Sequence, residues 1–195
     1  MATTSGLVLI EGVRIDDLSA GGWRTTDVTA SGHEVLLTGD PAACEVEGGV
    51  LIAQGRTDIA LEDETYALIL GTRLVAVGVA TADKTYFVSV YGRDGVVRHV
   101  VDTLEERTFD VGEPLAAERD ITRLDEASTL RIFESLTRLT LDDVRAAELT
   151  VLRPPQEHDE TPRRPLLKRL LGIHSDKEGY ATKTGPPVLA KPEDG

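Results

Sequence analysis

The chain has 195 residues, a hydrophobic fraction of 41%, an aromatic fraction of only 4% and a formal net charge of -13. That length suits one ordinary domain plus a tail, with a core of aliphatic side chains, each contributing roughly 1.5–3 kcal/mol when buried. Cys44 is the only cysteine, which excludes an intramolecular disulfide and a multi-cysteine zinc site and points to a reducing, cytoplasmic compartment. The first residues carry no basic run, and the apolar run Leu7–Ile10 is too short for a signal sequence; no window reads as a membrane span.

Residues 6–11, GLVLIE, read as a buried strand. A second strand is expected at Glu34–Thr38, closed by a Gly39-Asp40-Pro41 turn, and a third at Val50–Gln54 between glycines. These runs are continuously apolar rather than alternating, so the strands are covered on both sides or by a helix layer. Glu62, Asp63 and Glu64 precede apolar residues and Gly71, which predicts a helix over Glu62–Leu70. A strand follows in TRLVAVGVA. Thr85–Tyr91 and Val96–Val101 then flank Gly92-Arg93-Asp94-Gly95 and predict a hairpin.

Beyond residue 120 the period becomes helical. Ala127, Leu130, Phe133 and Leu136 form a stripe widened by Ile132 and Leu139, with Asp125 as its cap. Thr140 and Asp143 form a capping box that opens a second helix, Leu141–Leu149. The expected fold is α+β: an antiparallel β-meander over residues 1–152 with two C-terminal helices packed on it.

Residues 153–165 hold four prolines in thirteen positions and read as a linker; residues 173–195 read as a disordered tail. Between them lies RRPLLKRLLG. Pro165 suits the first position of a short helix over 166–172 and Gly172 its end. Leu166, Leu167, Leu170 and Leu171 fall on one side, Lys168 and Arg169 opposite, with Arg163 and Arg164 leading. So few residues do not hold a helix alone in water, so docking must order them. Residues 153–195 carry eight basic and seven acidic residues, whereas residues 1–152 carry 13 basic and 27 acidic, a net of -14. Such a body repels phosphate backbones, which argues against nucleic acid as a partner.

No phosphate loop, serine elbow or H-E-x-x-H occurs. The nearest glycine-rich loop, Ser19–Asp27, reads as a turn with Trp23 as a lid on the core. The four histidines, His33, His99, His158 and His174, make no ligand cluster, so neither metal nor cofactor is expected. The acid pairs at 16–17, 62–64, 105–106 and 142–143 read as solvated or capping. Ser31 beside His33 lacks any mark of an oxyanion hole, and Cys44 reads as a buried structural thiol whose neighbours Glu45 and Glu47 would raise its pKa.

Thr72–Asp120 pairs a Asp-Gly ribbon and an Arg-bearing return strand with GEPLAAE, in which Gly112, Glu113, Pro114, Leu115 and Glu118 match a shared pattern. This quarter of the chain resembles several actinobacterial families of no assigned function, and the Ala, Val, Arg and Asp content is similar to that of high-GC actinobacterial proteins. The resemblance implies no catalytic residue.

The functional expectation is a non-enzymatic interaction or accessory protein. Its segment Arg163–Leu171 docks on a protein partner, a second copy or its own domain; an anionic membrane is the weakest of the receivers. The alternative is a small-ligand sensor or enzyme whose site the fold assembles, a deep pocket holding Arg98, His99 or Trp23 being its signature.

Overall fold

Successive side chains of a strand point to opposite faces, so an unbroken apolar run such as Leu7-Val8-Leu9-Ile10 needs cover on both. The computed structural model describes residues 4–56 and 64–154 and provides that cover. Nine strands form one antiparallel sheet among the described residues: β1 (Thr4–Glu11), β2 (Arg24–Ser31), β3 (Ala42–Val46), β4 (Gly49–Gln54), β5 (Leu74–Ala80), β6 (Thr85–Gly92), β7 (Gly95–Asp102), β8 (Arg107–Val111) and β9 (Glu148–Arg153). Their order is β2-β9-β3-β4-β1-β5-β6-β7-β8. The helices are α1 (Gly32–Thr38), α2 (Glu64–Leu70), α3 (Glu126–Thr137) and α4 (Leu141–Ala146), with 3-10 turns at Ile15–Gly21 and Ala116–Glu118. No helix among them is long and apolar enough to cross a membrane.

The α+β character and the antiparallel sheet stand as expected, but only β5–β8 run as a simple meander. β1 lies at the centre, pairing β4 from Gly6↔Gln54 and β5 from Thr4↔Ala80. One face carries Leu7, Leu9, Leu51, Ala53, Val75, Val77, Val88 and Val100 beneath Ile132 and Phe133 of α3, Val35 of α1 and Val144 of α4. The alternate residues Val8, Ile10, Ile52, Ala76 and Phe87 are equally buried. The first 3-10 turn and α2 contact the strands here, and Leu18, Trp23 and Ala67 are buried with them. Trp23 is thus a core residue, as expected.

Three expectations are corrected. Glu34–Thr38 is helix, not strand: Ser31 accepts the Glu34 amide at 3.3 Å, Glu34 accepts the Ser31 amide at 2.9 Å, and left-handed Gly39 ends the turn. This capping box, S-G-H-E, was present in the sequence as a helix-start signal. The second C-terminal helix stops at Ala146 rather than Leu149, because residues 148–153 enter the sheet between β2 and β3. The linker therefore cannot begin at Arg153, which pairs with Arg24. The other caps form as read, Asp125 accepting the Ser128 amide at 2.7 Å and Thr140 the Asp143 amide at 3.1 Å.

Candidate functional site

The β6–β7 hairpin turns at Arg93-Asp94, and the positive φ falls on Gly95. It places Arg98 and His99 on opposite faces of the sheet, both buried. Arg98, 1% exposed, lies under the connection that runs from β8 to α3. Its Nε and Nη2 donate to the two Glu118 oxygens at 2.8 and 2.7 Å, and its Nη1 donates to Asp110 and to the carbonyls of Val111 and Gly112. Glu118 also accepts the Leu115 amide at 3.1 Å.

Arg107 continues the network. It donates to both Asp102 oxygens at 3.0 Å, to Asp110 at 3.1 Å and to the Thr122 carbonyl at 3.0 Å, while Asp102 accepts the Leu124 amide at 2.6 Å. Burial acts to raise the Asp102 pKa, but hydrogen bonds from Arg107 and Leu124 outweigh it and hold the carboxyl below its ordinary value. Bonds from Arg98 and Arg107 likewise lower Asp110. Bonding to Glu118 holds Arg98 protonated against burial. Each of these charges faces an opposite charge, so the cluster clamps the connection to the sheet.

On the other face Ser89 Oγ lies 2.8 Å from His99 Nδ1, and the imidazole packs on Phe109 at 5.5 Å between ring centres. Burial, with Arg98 second, pushes the His99 pKa down to about 4. A neutral serine–histidine pair of this kind superficially matches a nucleophile and its base, but both residues lie within the core. Sequence reasoning singled out His99 without Ser89; pairing across the hairpin register is the signal that joins them.

Two depressions among the described residues do not hold the expected signature, Arg98, His99 or Trp23. One, about 490 Å³ and open to solvent, is lined by Leu9, Glu11, Gly12, Glu47, Gly48, Thr72, Leu136, Thr137 and Arg138. It lies where the end of β1, the β3–β4 turn, the start of β5 and the end of α3 meet. Glu11 is paired with Arg73, and Thr72 donates to the Glu11 carbonyl. The other, about 320 Å³, is lined by Thr29, Ala30, Ser31, Glu34, Ala146, Ala147 and Glu148. Here Thr29 donates to Glu148 at 2.9 Å and Ser31 holds Glu34, whose pKa its bonds lower.

The remaining candidates are quickly placed. Ser31 is a helix cap, and His33 is exposed beside it. Asp17 accepts the Arg14 amide at 2.7 Å, and Asp142 pairs with Arg145 at 3.3 Å. Cys44 is half-buried rather than buried; its pKa is raised as expected, though by burial and not by Glu45 or Glu47. No group of three or more His, Cys, Asp or Glu among the described residues could hold a metal ion. Arg163, Arg164, Leu166, Leu167, Lys168, Arg169, Leu170 and Leu171, with the linker and tail around them, lie outside the described residues. Comparison of the chain with protein-family models, curated proteins and solved structures finds no match in any of the three.

Proposed function

We propose that this is a cytoplasmic, non-enzymatic interaction protein in which Arg163–Leu171 is the docking element and the acidic α+β body its anchor. The observation that carries the reading is charge opposition: residues 1–152 have a net charge of -14, while RRPLLKRLL holds four cations, four leucines and no acid. Such a segment folds as it binds, its leucines filling an apolar groove and its cations steering the encounter. The four prolines between residues 154 and 165 suit a tether between the body and this segment. The depression lined by Glu34 and Glu148, with three alanines and no cation in its lining, supports a second copy of the chain as receiver.

Replacing Leu167 and Leu170 by Asp is expected to abolish self-association or partner capture in analytical ultracentrifugation and pull-down, with the melting temperature of the body unchanged. Association that survives the double change refutes the reading.

A further inference from the structure

Three helical segments end on left-handed glycines: Gly22 after the first 3-10 turn, Gly39 after α1 and Gly71 after α2 have φ of 85°, 89° and 59°. After α3 the same conformation, φ 63°, is imposed on Arg138. A Cβ makes this conformation unfavourable, and glycine is the usual solution. The arginine lines the larger depression. Among the described residues its guanidinium has no ion-pair or hydrogen-bond partner, and neither has the Glu47 carboxylate in the same depression. Opposite charges thus share one concavity without pairing with each other. Leu136, partly buried, supplies apolar lining, and at Gly48 an added Cβ would meet nothing within 4 Å.

We propose that this depression binds a small zwitterion of the α-amino-acid type, either a free amino acid or a short peptide. Its carboxylate pairs with Arg138, its ammonium with Glu47, and an aliphatic side chain rests on Leu136. The volume of about 490 Å³ accommodates a ligand of that size. A planar guanidinium suits bidentate recognition of a carboxylate, and Arg138 holds an unfavourable backbone conformation where it lines the depression. The site does not depend on the docking of Arg163–Leu171.

The full chain is titrated with L-leucine, L-leucyl-L-leucine, N-acetyl-L-leucine and L-leucinamide, following the amide resonances of Gly12, Gly48, Thr72 and Arg138. Leucine or the dipeptide is expected to give saturable shifts, and the tighter of the two identifies the source. Each singly blocked compound should bind at least about tenfold more weakly, since each lacks one charged contact. Arg138→Gly is expected to lose binding with an equal or higher melting temperature, Arg138→Asn to lose binding while tolerating the same backbone, and Glu47→Gln to weaken binding at least about tenfold. Absence of saturable shifts with both leucine and the dipeptide overturns the proposal, as does unchanged binding in folded Arg138→Gly.

Discussion

At the scale of single residues, the most consequential side chain is Arg98, buried on a β-strand with its charge answered by two carboxylates of unequal burial. Glu118 is 7% exposed and Asp110 50%. Removing a partner from a buried pair leaves an uncompensated charge and costs about 3–5 kcal/mol, whereas a half-exposed partner is replaced by water. Glu118→Ala should therefore lower stability in urea by about 3 kcal/mol, and Asp110→Ala by about 1 kcal/mol or less. Equal losses would show that Glu118 does not carry the clamp. His99 sets a pH dependence of the opposite origin. Its pKa is depressed from 6.5 to about 4, so between these values the unfolded chain takes up a proton that the native protein does not. The stabilisation is complete above pH 6.5 and is lost as pH falls towards 4, about 3 kcal/mol in all. His99→Gln should flatten this limb of the stability–pH curve. A slope unchanged by the substitution would place the effect on other groups.

At the scale of elements, what decides is where a short segment finds its hydrogen bonds. Val35-Leu36-Leu37 is compatible with either period, and its neighbours choose: Ser31 and Glu34 satisfy the first turn, and Gly39 the last. Leu37 consequently stands 69% exposed, a position a two-sided strand would not give it. Gly32 opens this helix against α4, where a Cβ would lie 1.8 Å from the Val144 carbonyl oxygen. Helical continuation after Ala146 competes with the sheet, and the sheet prevails because β9 is the sole strand joining β2 to the rest. Leu149 and Leu152 are buried as a result. A chain ending at residue 154 is accordingly expected to melt cooperatively, and one ending at residue 147 to lose the cooperative transition in circular dichroism. A cooperative melt of the shorter chain would make β2 and β9 dispensable.

At the scale of the whole molecule, the α+β class, the central strands, the β6–β7 hairpin and the caps at Asp125 and Thr140 were legible in the sequence. Those features rest on local physics: side-chain alternation, the chirality of the backbone at glycine, and orphan amides at helix starts. The acidity of residues 1–152 and the basic leucine-rich segment after them were legible for the same reason, since charge is a property of composition. The polar strands β2 and β8 and the short β3 gave no periodic signal, because an edge strand or a strand completed by a distant partner takes its stability from pairing rather than pattern. The pairing of Ser89 with His99 follows from a register shift within the β6–β7 hairpin, and the grouping of Arg98 with Glu118, and of Arg138 with Glu47 and Glu11, from tertiary packing. The last of these brings residues some ninety or more positions apart to one depression, through a sheet order in which β1 lies between β4 and β5 and α3 packs on β5 and β6. No local rule encodes that convergence, because it depends on how strands far apart in sequence bury one another's side chains.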